Sequence, residues 1–137
     1  MIEVAAAVIE DEEGRILIAR RREGKSQAGL WEFPGGKIEP GETAEACIVR
    51  ELREEMSIDV SPGEYLGENV HDYGDIRIRL IAHRAKYIGG RIRLADHDHC
   101  KWVKPGDLTG YEFAPADAPF VERLSGEFGV QEGDSQE

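Results

Sequence analysis

Apolar and polar positions follow two rhythms along the chain, one typical of strands and one typical of a helix. Apolar runs at residues 2–9 and 15–19 flank the turn residues Asp11-Glu12-Glu13-Gly14, a pattern that predicts a β-hairpin. Strict alternation in Ile76-Arg77-Ile78-Arg79-Leu80 predicts a half-buried strand. Shorter strands are predicted at residues 31–33, 60–70, 91–94 and 102–103, with Pro34-Gly35-Gly36 ending the first of them.

The clearest helical pattern runs from Thr43 to about Ser57. At about 100° per residue, its apolar side chains fall within one arc that would face a core, namely Ala44, Ile48, Val49, Leu52 and Met56. A shorter helix is predicted at residues 119–124, beginning near Asp117. Because no linker divides these elements, we expect one domain over residues 1–126, followed by an acidic tail at residues 127–137.

Composition narrows the classes of protein to which the chain can belong. Its 137 residues fit one domain, and 17 Lys and Arg against 28 Asp and Glu give a net charge of −11. This acidity argues against nucleic-acid polymers and anionic membrane surfaces as partners, because both attract clustered basic residues. Cys47 and Cys100 form neither a disulfide framework nor a zinc pattern, and no signal sequence precedes the first strand. We therefore expect a cytoplasmic protein.

Three carboxylates of the predicted helix lie side by side, away from its apolar arc. Glu51, Glu54 and Glu55 are spaced i, i+3 and i+4, which places them on one face. One interpretation is a solvated acidic face paired with Arg50 and Arg53, since such surface pairs are common. The other is a site for a hard cation, because a divalent ion relieves the repulsion between adjacent carboxylates and Mg²⁺ or Mn²⁺ prefers oxygen ligands.

The loop before the helix adds to this pattern. Glycines in residues 35–42 let backbone groups approach a ligand closely. Gly36, five residues, Glu42, seven residues, Arg50-Glu51-Leu52, one residue, Glu54-Glu55 and, after Ser57, Ile58 together resemble the Nudix box. The chain departs from the family at Ser57, where Gly is usual. We expect a small cost in stability or a different helix cap there, and no loss of activity.

The resemblance to Nudix hydrolases covers residues 2 to about 124. Residues 31–37 are similar to the MutT-type branch, and residues 27–31 and 116–117 look closer to the bacterial CTP pyrophosphohydrolases of this family. The resemblance implies an α/β protein with the Nudix fold, in which an α/β/α sandwich surrounds a mixed β-sheet. For MutT-type members it also implies hydrolysis of a nucleoside triphosphate to the monophosphate and pyrophosphate.

By position in the motif, the resemblance assigns a metal and catalytic site. Mg²⁺, for which Mn²⁺ can substitute, would be bound by the carbonyl of Gly35 and by Glu51, Glu54, Glu55 and Asp96. Glu51 or a nearby acid would help to deprotonate water, and Glu42 and Arg50 would support the carboxylates. Asp96-His97 is similar to a family segment with Glu-His before a Trp. Asp98 is the alternative metal ligand. Residues 96–100 could instead be a polar loop. A zinc site is also possible, but the spacing of the two His and one Cys is unusual for one.

The resemblance also assigns residues that bind the nucleotide, namely Arg21, Phe33, Lys37, Tyr73, Ile78 and Asp117. Arg21 lies twelve residues before Phe33, the spacing of a substrate arginine, although it could be a surface charge. Phe33, Tyr73 and Ile78 would pack on the base, unless Phe33 and Ile78 are ordinary core residues. An ionised Asp117 accepts hydrogen bonds only, which suits the N4 amino group of cytosine. A protonated Asp117 would also suit a purine, and an N-cap of the last helix is the structural alternative.

These assignments predict a Mg²⁺-dependent hydrolase that acts on a cytosine nucleotide such as CTP, dCTP or 5-hydroxy-dCTP. An 8-oxo-dGTP pyrophosphohydrolase is the first alternative. A nucleotide-sugar diphosphatase and a non-catalytic nucleotide-binding module are others, the last being disfavoured because all three box carboxylates are present. We expect a monomer or homodimer whose partner is a small nucleoside triphosphate.

Overall fold

Seven strands, a long helix and two shorter helical segments follow one another in the computed structural model, which describes residues 1–126. The strands are β1 (Ile2–Glu10), β2 (Ile16–Arg21), β3 (Trp31–Glu32), β4 (Gly35–Lys37), β5 (Ile58–Asp72), β6 (Arg77–Gly90) and β7 (His97–Val103). Helix α1 spans Ala44–Met56, a 3₁₀ helix spans Pro105–Gly110, and α2 covers residues 118–126. The acidic tail expected at residues 127–137 lies outside the described residues.

The strands form one mixed sheet in the order β3-β2-β1-β6-β5, with β4 also paired to β1 and β7 to β2. β1 runs parallel to β6 from the pair Ile2 and Ile78 to the pair Glu10 and Lys86. The predicted hairpin of β1 and β2 is therefore present only at its turn, where Glu10 pairs with Ile16. β2 pairs along its length with β7 and, near its end, with β3.

β3 ends before Pro34, as the sequence predicted, but the two glycines that follow belong to another strand. Gly35–Lys37 forms β4, which pairs antiparallel with β1. A Cβ on Gly35 would lie 1.8 Å from the carbonyl oxygen of Ala5, so this close pairing requires glycine. The strand predicted at residues 91–94 is wrong, since these residues form none. Residues 97–100 belong to β7, so the alternative of a polar loop does not hold for them.

Alternating residues of the central strand β1 face two separate apolar layers. Ala5, Ala7 and Ile9 belong to the layer beneath α1, which contributes Cys47, Ile48, Leu52 and Met56. Ala6 and Val8 belong to the opposite layer, where α2 contributes Phe120, Val121 and Leu124. The predicted α/β/α sandwich around a mixed sheet is confirmed. No helix among residues 1–126 is long and apolar enough to cross a membrane.

Helix α1 begins and ends where the sequence predicted, and both of its ends are capped. The Thr43 hydroxyl accepts a hydrogen bond from the Ala46 amide at 3.1 Å. Ser57 closes the helix in the left-handed conformation (φ 59°, ψ 32°), and its amide donates to the carbonyls of Arg53 and Leu52. The predicted apolar arc is correct except that Cys47 is fully buried and Val49 is half-buried. These caps fix where the carboxylate face of the helix begins and ends.

Candidate active site

The carboxylate face of α1 packs against β4. The Glu51 side chain is 14% exposed and that of Glu54 is 57% exposed, so the face extends from the protein interior into solvent. A Cβ on Gly36 would lie 2.3 Å from the Glu51 carboxyl carbon, which shows that this carboxylate fits directly over the glycine. Burial is the largest cause that raises the pKa of Glu51, while Arg50 lowers it.

Arg50 joins the loop to the helix. Its Nε and Nη2 donate to the two carboxylate oxygens of Glu42 at 2.7 and 2.9 Å, and its Nη1 donates to Glu51 at 2.8 Å and to Glu54 at 3.2 Å. Nη2 also donates to the carbonyl of Lys37 at 3.0 Å. Hydrogen bonds from Arg50 lower the pKa of Glu42 to about 2. Arg50 thus braces the carboxylates, as the resemblance implied, and fixes the loop that carries Gly36.

The second basic residue of α1 does not join this network. Arg53 donates to Asp59 at 2.7 Å, and both side chains are largely exposed. The interpretation of the acidic face as a surface paired with both arginines is therefore correct only for Arg50.

Asp96 lies against Glu55 at the inner end of the carboxylate face. A hydrogen bond with Asp96 is the largest cause that raises the pKa of Glu55 to about 7, followed by burial, and the same hydrogen bond is the largest cause that lowers the pKa of Asp96. Glu55 Oε2 is buried and without a hydrogen-bond partner. The other candidate, Asp98, is paired with Arg20 at 2.7 Å. The structure thus brings Asp96 to the α1 carboxylates and occupies Asp98 elsewhere.

The donors at this face are carboxylate oxygens, which suit a hard divalent cation. The partnerless Glu55 oxygen and the Glu51 carboxylate above Gly36 both fit such an ion, because each is a carboxylate group on one face of α1. Within residues 1–126, no three His, Cys, Asp or Glu side chains already converge to hold a metal ion.

Asp117 lies in the opposite layer, close to the end of β3. Its carboxyl group is 5% exposed, and its Oδ1 accepts a hydrogen bond from the Phe33 amide at 3.1 Å. Burial is the largest cause that raises its pKa well above the ordinary value, and the charge of Glu32 adds to the effect. The hydrogen bond shown for this carboxyl group comes from Phe33, the residue after β3, rather than from the first turn of α2, so it does not serve the N-cap role considered from the sequence.

Glu32, whose charge acts on Asp117, also contacts two further polar residues. Arg21 Nη1 donates to both Glu32 oxygens at 3.2 Å, and His97 Nε2 lies 2.8 Å from Glu32 Oε2. Arg21 is therefore a half-buried partner of Glu32, not a free surface charge. Asp96, the residue before β7, contacts Glu55, whereas His97, the first residue of β7, contacts Glu32.

Two residues of the site were not identified from the sequence. Glu32 follows Trp31 in a short strand without a chemical signal of its own, and only the pairing of β2 with β3 and β7 shows its neighbours. Lys25, in the loop after β2, places Nζ 3.1 Å from Asp96 Oδ1. The backbone of the same loop contacts Asp96, whose carbonyl lies 3.4 Å from the Arg22 amide.

The apolar residues predicted to pack on a base lie together. Phe33 is 2% exposed, and its ring centroid lies 5.2 Å from that of Phe113. Tyr73 and Ile78 are partly buried against the same apolar layer. Lys37 is instead exposed on β4, beside the carboxylate face. The structure thus separates the side formed by the loop and α1, which carries the expected metal ligands and is called the metal side below, from an apolar side that contains Asp117.

The model of the NUDIX domain matches residues 2–124, so the chain belongs to the Nudix family of hydrolases. It is 42% identical over 122 residues to the CTP pyrophosphohydrolase of Escherichia coli, covering 89% of this chain and 90% of that protein. It is 33% identical over 127 residues to the 8-oxo-dGTP diphosphatase of Haemophilus influenzae, covering 93% of each. The MutT protein of Methanosarcina mazei superposes with a TM-score of 0.81 at 31% identity, covering 92% of this chain and 94% of that one.

Membership confirms the predicted class of enzyme. The chain is a Nudix hydrolase that acts on small nucleotide substrates and hydrolyses nucleoside triphosphates, and members of the family generally need divalent metal ions.

Proposed function

We propose that this enzyme hydrolyses cytosine nucleoside triphosphates, such as CTP, dCTP or 5-hydroxy-dCTP, to the monophosphate and pyrophosphate with Mg²⁺. The observation that carries the proposal is the buried Asp117 carboxyl group, fixed by the Phe33 amide within the apolar layer. The name of the E. coli relative, CTP pyrophosphohydrolase, supports the same substrate.

Asp117 can distinguish cytosine from uracil by the position of a single proton. Because its burial favours the neutral acid, one oxygen donates and the other accepts. The Phe33 amide donates to Oδ1 and thereby keeps the proton on Oδ2. Cytosine presents an amino donor beside the N3 acceptor, whereas uracil presents these roles in reverse. A fixed acceptor and donor would therefore select cytosine in a given pose.

The metal side supplies the chemistry. Glu51, Glu54, Glu55 and Asp96, with the carbonyl of Gly35, would hold Mg²⁺ together with phosphate oxygens and water, since the protein ligands alone do not converge. When bound, the metal neutralises the triphosphate and lowers the pKa of a coordinated water. Arg50 would position Glu51 and Glu54, to which it donates hydrogen bonds, and Glu51 would accept a proton from water, a role supported by the burial that raises its pKa. Arg21 and Lys37 would contact the nucleotide.

The buried carboxyl group of Asp117 also suits a second candidate substrate, 8-oxo-dGTP. A neutral Asp117 both donates and accepts hydrogen bonds, as an oxidised guanine requires, and burial raises the pKa of this group. Relatives named 8-oxo-dGTP diphosphatases accompany the CTP enzyme among the similar proteins.

Steady-state kinetics with CTP, dCTP, 5-hydroxy-dCTP, UTP and 8-oxo-dGTP side by side tests the substrate. We expect kcat/KM for a cytosine nucleotide to exceed that for UTP at least about tenfold, the value of one good base contact of ~1–3 kcal/mol. A higher kcat/KM for 8-oxo-dGTP than for every cytosine nucleotide would support the second candidate. Turnover of nucleotide sugars alone, or binding without turnover, would contradict both.

We further propose a cytoplasmic enzyme, a monomer or homodimer, without a nucleic-acid polymer as partner. The unpaired cysteines Cys47 and Cys100 and the net charge of −11 support these proposals.

A further inference from the structure

Both backbone polar groups of Ala116, the residue before Asp117, are held by one neighbouring hairpin. The Ala116 amide donates a hydrogen bond to the Tyr73 hydroxyl at 3.0 Å, and its carbonyl accepts one from Asn69 Nδ2 at 3.1 Å. Asn69 lies on β5, and Tyr73 lies in the turn between β5 and β6. Because Ala116 is 4% exposed, water does not readily replace either partner.

We propose that Tyr73 and Asn69 are positioning residues that set the location of the Asp117 carboxyl group and thereby the choice of base. This inference rests on the proposed reading of the base by Asp117. Neither side chain needs to touch the reacting phosphates, since the metal side of the protein lies on α1 and the loop before it.

The position of the segment around Asp117 depends on hydrogen bonds at its ends and at Ala116. The Ala114 amide donates to the carbonyl of Trp31 at 2.9 Å, and the Asp117 carbonyl accepts from the Phe120 amide at 3.0 Å, so backbone contacts fix both ends. Between them, Pro115 has no amide hydrogen to donate. The Asp117 amide donates to the Ala114 carbonyl at 3.0 Å, which closes a turn, and the two side-chain hydrogen bonds to Ala116 anchor this turn to the β5–β6 hairpin.

The hydroxyl and the ring of Tyr73 have separable roles. The ring packs against the apolar layer, and its centroid lies 4.5 Å from that of the His71 ring. Phenylalanine would retain this packing, yet it would leave the buried Ala116 amide without its acceptor. Besides the packing of its ring on the base that is expected from the sequence, the hydrogen bond gives Tyr73 a second, independent way to act.

Tyr73→Phe is the decisive variant, with Asn69→Ala as the second test and Tyr65→Phe as the matched control. Tyr65 belongs to the same hairpin but is 54% exposed. We expect Tyr73→Phe to reduce the ratio of kcat/KM for CTP to that for UTP by about five- to tenfold, because an unsatisfied buried amide allows the segment to shift. The change should appear in KM for CTP, with kcat changed less than about twofold. Tyr65→Phe should behave as the wild type.

A merely structural contact would give a different result. Equal losses of kcat/KM for CTP and UTP in Tyr73→Phe and Asn69→Ala, or no loss for either nucleotide, would overturn the positioning role. If Tyr73→Phe fails to fold, as measured by thermal unfolding, the ratio in Asn69→Ala decides by the same criterion.

Asp117→Ala separates this inference from the proposed function. If Asp117→Ala abolishes the preference for CTP while Tyr73→Phe and Asn69→Ala retain it, only the positioning role is wrong. If Asp117→Ala retains the wild-type preference, Asp117 does not read the base, and both proposals are overturned.

Discussion

Three carboxyl groups of this enzyme differ in pKa because their neighbours differ. Arg50 lowers the pKa of Glu42 to about 2, Asp96 and burial raise that of Glu55 to about 7, and burial raises that of Asp117 well above its usual range. Glu42 therefore remains an ionised partner of Arg50, whereas Glu55 can exchange a proton near neutral pH. Asp117 favours the neutral form that both donates and accepts hydrogen bonds.

Binding of a divalent cation should release the proton of Glu55. The ordinary pKa of this group is 4.5, so between that value and about pH 7 the folded, metal-free protein holds a proton that the unfolded chain has lost. The contribution of Glu55 to stability consequently falls as pH rises through this window, and metal affinity rises. Mn²⁺ calorimetry at pH 6 in buffers of different ionisation enthalpy should show proton release in the wild type and less in Glu55→Gln. Equal release by both proteins would contradict the assignment.

Asp117→Asn tests the protonation state that reads the base. Asparagine offers the same acceptor and donor as a neutral acid, so this variant should retain the ratio of kcat/KM for CTP to UTP within about threefold. Asp117→Ala should lose the ratio. A loss in Asp117→Asn as large as that in Asp117→Ala would indicate that an ionised carboxylate reads the base.

Gly36→Ala tests the fit between the loop and Glu51. The new methyl group would lie 2.3 Å from the Glu51 carboxyl carbon and displace this side chain, which should lower kcat at least about tenfold because positioning dominates phosphoryl chemistry. Circular dichroism should show a folded protein. Gly110→Ala, where a Cβ meets open space, is the control, and unchanged kcat in Gly36→Ala would argue against Glu51 as a catalytic group.

Ser57→Gly tests the C-terminal cap of helix α1. Ser57 adopts φ 59°, a left-handed conformation that costs a non-glycine residue roughly 1 kcal/mol. Glycine should therefore raise the free energy of unfolding by about 0.5–1 kcal/mol, measured by urea denaturation, with kcat unchanged. Ser61→Gly, on the extended strand β5, should lower stability instead. A destabilised Ser57→Gly would show that the serine side chain contributes to the cap.

The elements that the sequence predicted well are those specified by local pattern. Helix α1 has its cap, its apolar arc and its terminating residue within 15 positions, and the structure agrees with each. β4 could not be recognised in this way, because its glycines are typical of a turn and its partner β1 lies some 30 residues earlier. The predicted hairpin is present at its turn, but local pattern did not show that β6, from across the chain, supplies the main partner of β1.

The sequence indicated candidate functional groups but not how they are shared between two sides of the sheet. The resemblance to the Nudix box assigned Glu51, Glu54 and Glu55 to the site, since their spacing alone also fits a solvated acidic face. The neighbours of Asp96 depend on the tertiary structure, which brings Asp96, just before β7, to Glu55 and His97, at the start of β7, to Glu32. Lys25 and Glu32 become visible only when β3 and β7 are both paired with β2.

The net charge of −11 is compatible with a triphosphate substrate because the acidic residues on α1 can recruit the cation that accompanies it. Removal of divalent ions should therefore abolish both turnover and nucleotide binding. Calorimetry with CTP in EDTA and in Mg²⁺ measures this dependence, and tight binding of CTP without a metal would argue that basic side chains alone neutralise the phosphates.

Analysis of the products formed from CTP and Mg²⁺ is the most direct test of the proposed hydrolysis of CTP to the monophosphate and pyrophosphate. We expect CMP and pyrophosphate in equal amounts from the wild type. We also expect a rate at least about 10²-fold lower for Glu54→Gln, because a proposed metal ligand is lost. The circular dichroism of this variant should be unchanged. Release of CDP and phosphate, or a Glu54→Gln variant as active as the wild type, would contradict the proposal.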